Sequence, residues 1–204
     1  MTQARRPSTR PPSEGRFPGA GFPAADACGH FGLRIGRDGT WYYHGSPIGR
    51  KAITKLFATV LRRENDGSYW LVTPAERGRI DVDDVPFVAV DMDLVTAGGK
   101  RRLVFTTNLD EIVAAGPANP IWLAECKAGS KAESRDRAAT DGPVPYLHVR
   151  DGLNARLSRP VYYRLAELAV ARDGDGGACF GVWSDGAFFS LEPTDAGSRR
   201  AART

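Results

Sequence analysis

The sequence predicts an α+β protein with mostly antiparallel sheets, in which a strand-strand-helix-strand-strand unit occurs twice. Asp-Gly pairs separate short runs of aromatic and β-branched residues, which is typical of hairpins. Each unit also contains one stretch with the apolar period of an amphipathic helix. The glycine and proline that mark the units share one offset of 113 positions, from Gly39 to Gly152 and from Pro47 to Pro160. We therefore expect an internal duplication.

The first unit spans Arg37 to Ile80. Alternating residues at 31–35 and 40–44 flank Asp38-Gly39 and predict a hairpin. Ser46-Pro47 predicts a helix start, because serine caps free amides and proline is tolerated in the first turn. One apolar stripe follows in that helix, formed by Ala52, Ile53, Leu56, Phe57, Val60 and Leu61. Strands are predicted at 68–73 and 80–83, with a polar turn at 74–79 between them.

The second unit spans Arg150 to Leu191 and is preceded by extra strands. Further strands are predicted at 87–94, 102–107, 121–126, 146–149, 153–157, 179–183 and 187–191. Ser158-Arg159-Pro160 opens the second helix by the same capping logic as the first. We expect the C-terminal half to be a strongly bent sheet or partly closed barrel of about seven strands, capped by one helix.

The predicted domain organisation has four parts. Residues 28–83 form the N-terminal repeat, and 84–194 form the C-terminal repeat with a mobile loop at 127–143. The segments 1–27 and 195–204 are expected to be basic tails, the first of them disordered because it is rich in proline, glycine and arginine.

The net charge of +4 comes from these tails. Four arginines oppose two acids in 1–27, three arginines oppose one acid in 195–204, and 28–194 is balanced. Nucleic-acid binding is therefore not expected, because it needs a basic stripe on the fold itself. Three cysteines without metal-type spacing, no secretory leader and no membrane-length apolar run predict a soluble cytoplasmic protein that does not bind a membrane.

No motif of known catalytic mechanism is present. Asp91 and Asp93 lie on one face of an alternating strand, and the acids at Asp81, Asp83, Asp84 and Glu76 lack a partner nucleophile. His30, His44 and His148 lack metal-site spacing. The calcium-like run from Asp173 has Ser184 where a glutamate is needed. We expect no catalytic residue, no metal and no cofactor.

Several polar and aromatic residues are candidates for binding an anionic small molecule. Arginines around Gly78, in the first helix and around the second hairpin can donate charge-assisted hydrogen bonds, and tryptophans can stack a base. The candidates are Trp41, Arg50, Trp70, Glu76, Arg77, Arg79, Thr107, Asn108, Arg150 and Arg159. A solvated hairpin tip, strand-end capping and ordinary core aromatics remain open as alternatives for these residues.

The run DGTWYYHGSPIGR, the run LFATVLRRENDGSYWLVTPAERGRIDVDDVPFVAV and the later PYLHVRDGLNARLSRPVYYRL resemble the bacterial family catalogued as domain of unknown function 1285. The resemblance covers about residues 31–192. It implies a domain duplication, a C-terminal half similar to pleckstrin-homology-like folds, and a ligand site at the interface of the halves. A nucleotide-like ligand and a signalling role are implied, without an established activity.

Three hypotheses of function follow. The first is a non-catalytic sensor or adaptor in bacterial signal transduction, which binds a nucleotide-like or other anionic molecule between the two repeats. The second is a protein-protein scaffold that binds a signalling partner through its C-terminal half. The third, remote hypothesis is a nucleotide hydrolase, which would need turnover that is lost on removing Glu76 or Asp83.

Overall fold

The computed structural model describes residues 29–124, 143–174 and 177–194. The predicted tails at 1–27 and 195–204 lie outside these ranges, as does the predicted loop at 127–143 apart from Pro143. The described residues form two domains of sheet, each with one helix. Neither helix has the length and apolar character needed to span a bilayer.

The N-terminal domain is one six-stranded sheet with the order β3-β2-β1-β6-β5-β4. Its elements are β1 Gly29–Ile35, β2 Trp41–Tyr43, β3 Ser46–Pro47, α1 Lys51–Thr59, β4 Leu61–Arg63, β5 Tyr69–Val72 and β6 Arg77–Val82. The central strands β1 and β6 are parallel, whereas the other neighbours are antiparallel.

The inner face of this sheet follows from the alternation of its strands. Leu33 and Ile35 are buried on β1, and Trp41 is only 1% exposed on β2, with its ring centroid 6.0 Å from that of Phe57. Gly78 is required at its position, because a Cβ there would lie 2.4 Å from the ring of Phe31. Close packing between β1 and β6 thus depends on the missing side chain.

The first helix differs from its prediction. Ser46-Pro47 pairs with β2 as a short edge strand, and the helix begins at Lys51 without a side-chain cap. Its buried residues are Thr54 and Ala58, while Leu56 of the predicted stripe is 65% exposed. The stripe prediction was wrong for Ala52, Ile53 and Leu56, which are exposed, because the buried face of the helix holds Thr54 and Ala58. Leu61 is buried from strand β4.

The C-terminal domain contains two sheets, with the orders β16-β10-β11-β12-β7-β8-β9 and β13-β14-β15. Its elements are β7 Phe87–Ala97, β8 Lys100–Thr107, β9 Ile112–Ala114, β10 Ile121–Ala124, β11 Val144–Arg150, β12 Leu153–Leu157, α2 Arg159–Glu167, β13 Val170–Gly174, β14 Gly177–Ser184, β15 Ala187–Ser190 and β16 Pro193–Thr194. The larger sheet curls as a half-barrel, and α2 packs on β7 and β14 through Val161 and Leu165.

Each domain contains a hairpin, then a nine-residue helix and at least three strands. The full orders differ, because β3 stands between hairpin and helix in the N-terminal domain, whereas β7 to β10 precede the hairpin and four strands follow α2 in the C-terminal domain. The strand pairing differs, because all strands of the N-terminal domain share one sheet, whereas β13 to β15 form a separate sheet. The marker prolines also differ, since Pro47 precedes its helix and Pro160 lies in the first turn. The described C-terminal residues contain ten strands, compared with the seven expected.

Ser184 joins the two C-terminal sheets. Its fully buried hydroxyl donates to the carbonyl of Ala115 at 2.7 Å and accepts from the amide of Leu103 at 2.9 Å.

We expect Ser184→Ala to lower the free energy of unfolding by about 1–3 kcal/mol, because it leaves buried groups without partners. Urea denaturation measures the loss. Ser190→Ala, at a half-buried serine on β15, is the control, and equal losses in both variants would contradict the assignment.

Candidate functional site

The two domains meet at a seam held by the side chain of Asn108. Its Oδ1 accepts the amide of Val88 at 3.1 Å, and its Nδ2 donates to the carbonyl of Gly39 at 3.1 Å. Gly39 has φ +79°, and a Cβ there would lie 2.4 Å from Nδ2 of Asn108. The first hairpin turn is therefore pressed against the end of β8 and the start of β7.

Arg150 closes the seam from β11. Its Nη2 donates to the carbonyl of Ala58 at 2.7 Å and to Oε1 of Glu111 at 3.1 Å. The Ala58 carbonyl lies in the last turn of α1, where a cation also complements the helix dipole. Arg63 donates to the carbonyl of Gly152 at 3.4 Å, so each domain sends an arginine to the backbone of the other.

A row of side chains crosses four strands of the C-terminal domain beside this seam. Strand register aligns Trp122 with Tyr146, Tyr146 with Arg156, and Arg156 with Val88. We call these four residues the aromatic row. The rings of Trp122 and Tyr146 are stacked, with centroids 5.7 Å apart and planes at 22°. All four side chains are half-buried, because the buried residues of these strands face the opposite side.

Asp84 anchors the row from the segment that joins the domains. The hydroxyl of Tyr146 donates to its Oδ1 at 2.8 Å, and Nη1 of Arg156 lies 3.6 Å from its Oδ2. Burial raises the pKa of Tyr146, and the charge of Asp84 raises it further. Arg37, from the first hairpin turn, is near enough to oppose that rise in pKa. One arginine and one carboxylate therefore meet at the row, and Arg37 acts on it as a further positive charge.

This arrangement suits binding a planar, anionic molecule. The stacked rings offer a π-face, and a guanidinium has five N–H donors, of which one carboxylate can accept only a few. The neighbouring His148 pairs its Nδ1 with Oδ1 of Asn154 at 3.1 Å. An amide oxygen is too weak a base to take a proton from histidine. The contact between His148 and Asn154 is therefore structural and not part of an acid-base pair. Within the described ranges, no group of His, Cys, Asp and Glu is arranged to hold a metal ion.

Three of the predicted ligand residues lie at the seam, where protein groups contact them. Asn108 and Arg150 make the interdomain bonds described above. Thr107 is fully buried, and its hydroxyl accepts the amide of Glu111 at 3.0 Å. These contacts correspond to the strand-end capping that the sequence left open.

Three predicted residues, Trp70, Arg77 and Arg79, lie together on the N-terminal sheet, on the face that is opposite its core, and Glu76 lies in the turn before them. Arg77 and Arg79 belong to β6, not to a long turn, which instead closes between Thr73 and Glu76. The guanidinium of Arg77 lies 4.5 Å from the ring centroid of Trp70, and Arg79 is the cross-strand neighbour of Trp70. This cluster is separate from the seam contacts of Asn108 and Arg150.

The remaining three predicted residues lie elsewhere. Trp41 is in the core of the N-terminal domain. Arg50 occupies the N-cap position of α1, and Arg159 is the first residue of α2. Binding of a ligand by the predicted set stays a prediction, and the structure divides that set among a seam, a sheet face, a core and two helix starts.

The aromatic row was missed from the sequence. Alternation along 144–150 and 153–157 places Tyr146 and Arg156 on the non-core faces, and an arginine within an apolar strand was an available signal. Asp84 was considered only for acid/base chemistry. Pairing of β10 with β11 and of β12 with β7 could not be inferred, because their residues are distant along the chain.

Two family models match the chain. The model described as "Domain of unknown function (DUF1285), N-terminal domain" matches residues 23–85. The model described as "Protein of unknown function (DUF1285), C-terminal domain" matches residues 86–191. The boundary between the two matches lies between Val85 and Pro86, one residue after Asp84.

Two solved structures are similar to this one. A DUF1285 family protein from Silicibacter pomeroyi DSS-3 is 43% identical, with a TM-score of 0.68 over 81% of this chain and 82% of that chain. A DUF1285 family protein from Shewanella baltica OS155 is 24% identical, with a TM-score of 0.47 over 67% of this chain and 91% of that chain. Comparison with curated proteins gives no match.

The burial of Tyr146, together with the charge and the hydrogen bond of Asp84, predicts a late tyrosine titration. Because the folded state holds the pKa of Tyr146 above its ordinary value of about 10, this group stabilises the fold below that pH. The stabilisation is lost as pH rises above it, where the unfolded chain ionises first. Ultraviolet titration of wild type and Tyr146→Phe should differ only in the latest phase. Tyr69, whose pKa burial also raises, remains in both proteins as an internal reference. A difference at ordinary tyrosine pH would contradict the prediction.

Proposed function

This chain belongs to the DUF1285 family, and from that premise we propose that it is a non-catalytic sensor or adaptor in bacterial signal transduction. Its ligand is a nucleotide-like molecule, bound at the seam between the two domains. The observation that carries the proposal is the aromatic row, in which a stacked Trp122–Tyr146 pair lies beside Arg156. The positive charge of Arg37 also acts on Tyr146.

The base of the ligand stacks on the aromatic pair. Both rings are half-buried, so their orientation is held by the sheet while part of their surface is open. Stacking of a base on an aromatic side chain contributes about 1–3 kcal/mol and tolerates different bases. The proposal accordingly names a class of ligand and not one nucleotide.

The phosphate of the ligand pairs with Arg156 and Arg37. Asp84 lies 3.6 Å from Arg156, a distance that leaves guanidinium donors available for a second anion. Asp84 then acts as a positioning group, because it holds both the Tyr146 hydroxyl and Arg156. Arg37 is exposed in the hairpin turn and pairs with the ligand from the other domain.

Because the ligand contacts both domains, its binding can change how the two domains are positioned. A molecule that binds Arg37 and Arg156 together stabilises one relative position of the domains, and a ligand shifts an equilibrium only through such differential contacts. The seam residues Asn108 and Arg150 set the starting position. Exposed surfaces elsewhere would report the ligand to a partner protein.

We also propose that the two domains derive from one duplicated unit, and that the C-terminal half is similar to pleckstrin-homology-like folds. The occurrence in each domain of a hairpin, a later nine-residue helix and antiparallel strands after it supports the duplication. The curled seven-stranded sheet around α2 supports the likeness of the C-terminal half. A cytoplasmic location is proposed as well, supported by Cys179, which forms no disulfide with any described residue.

Thermal shift and tryptophan fluorescence test the ligand proposal. AMP, ATP, GMP and GTP should raise the midpoint of unfolding at millimolar concentration, whereas inorganic phosphate alone should have little effect. Trp122→Ala and Arg156→Ala should each weaken binding about tenfold or more, the equivalent of one lost stacking or ionic contact. No shift with any nucleotide would count against the proposal.

Matched variants on the N-terminal sheet locate the site. Trp70→Ala and Arg79→Ala remove the same residue types from the cluster around Trp70. If these variants weaken binding while Trp122→Ala and Arg156→Ala do not, the ligand binds the N-terminal sheet and the seam assignment is wrong. Unchanged unfolding midpoints without ligand show that each variant folds.

A further inference from the structure

A small apolar groove opens in the C-terminal domain, away from the aromatic row. It has a volume of about 60 Å³ and lies among Leu94, Leu168, Val170 and Trp183, with Arg101 at its edge. We call it the C-terminal groove. Leu94 comes from the β7–β8 hairpin, Val170 and Trp183 come from the three-stranded sheet, and Leu168 follows α2.

The groove lies between two strand edges without partner strands in the described part of the chain. Strand β7 pairs with β12 only at 87–89, and beyond that point it pairs only with β8. Arg164 of α2 donates to the carbonyl of Met92, so the open edge begins after Met92. Strand β13 pairs with β14 alone. Open edges of this kind are the places where an added strand binds.

Three apolar side chains of the groove are exposed to solvent, although apolar side chains are usually buried. Leu94 is 44% exposed, Val170 is 45% exposed and Trp183 is 48% exposed. Contiguous apolar exposure that is bordered by polar residues marks an interaction surface. The volume of about 60 Å³ is well below that of a cavity of about 150 Å³ that binds benzene, so the groove suits one small apolar group and not a larger ligand.

The charges at the groove are positive. Arg101 lines it directly. Arg172 follows Val170 by two residues on β13 and therefore shares its face. The Arg172 guanidinium lies 5.5 Å from the ring centroid of Trp183 and 5.2 Å from that of Phe188. Asp173 projects from the other face of the strand. The complementary occupant is an acidic one.

We propose that the C-terminal groove binds an extended acidic segment of a partner protein by strand addition to β13. One apolar side chain of the segment enters the groove between Leu94 and Val170, and acidic residues beside it pair with Arg101 and Arg172. The segment's backbone completes the unpaired edge of β13. This surface is independent of the proposed ligand site and gives the protein a place to bind a signalling partner.

Fluorescence anisotropy with short labelled peptides tests the proposal on the full chain. The probe peptides are rich in threonine and valine, with one central leucine flanked by glutamates. Lysine-flanked peptides, and peptides with alanine at the centre, should bind at least about tenfold more weakly. Equal binding of glutamate- and lysine-flanked peptides would overturn the proposal, as would no binding of the glutamate-flanked peptides.

Variants of the chain separate the groove from other surfaces. Leu94→Asp and Arg101→Glu should each weaken the binding of glutamate-flanked peptides about tenfold. Ile112→Asp is the control for Leu94→Asp and should not weaken binding, because Ile112 is a 74% exposed aliphatic residue on β9, away from the groove. Arg101→Glu keeps the test valid if Leu94→Asp fails to fold. Self-association of the wild type that Leu94→Asp abolishes would overturn the proposal in favour of a second copy. Binding to phosphatidylglycerol vesicles that Arg101→Glu abolishes, without peptide binding, would overturn it in favour of a lipid surface.

Discussion

The position of the two domains depends on one constraint, that polar groups buried at the seam must have hydrogen-bond partners. The amide of Asn108 meets this need for Val88 and Gly39 at once. Arg150 meets it for the Ala58 carbonyl and neutralises Glu111. Each group left unpaired would cost about 1–3 kcal/mol. The seam therefore has one preferred geometry, in which Asp84 of the joining segment contacts Tyr146 and Arg156 of the aromatic row.

The sheets use their two faces for different purposes. One face of each sheet is apolar and packs into the core, with residues such as Trp41 and Phe105 that are nearly or fully buried. The other faces hold arginines beside aromatic rings, at Trp70 in the N-terminal domain and at the aromatic row in the C-terminal domain. Stacking and charge contribute little to folding at such half-exposed places. These arginines and aromatic rings are consequently available for binding a ligand or a partner.

Local signals were reliable where the structure is local. Asp-Gly turns located the hairpins around Gly39, Gly152 and Gly186, each of which has positive φ. The first helix was less predictable, because Ser46-Pro47 resembles a helix cap but is used by β2 as an edge strand. Side-chain capping and strand pairing compete for such residues, and the tertiary contact of β3 decided the outcome.

The sequence alone determined the family resemblance, the α+β class, most strand positions and the alternation of their faces, because these follow from short-range periodicity and turn chemistry. It could not determine the parallel pairs β1–β6 and β12–β7, since nothing local relates strands so far apart. Only the tertiary structure showed that Trp122, Tyr146 and Arg156 lie in one row and that Trp41 lies in the core. Candidate binding residues were therefore recognised by type, while their grouping depended on strand register and domain packing.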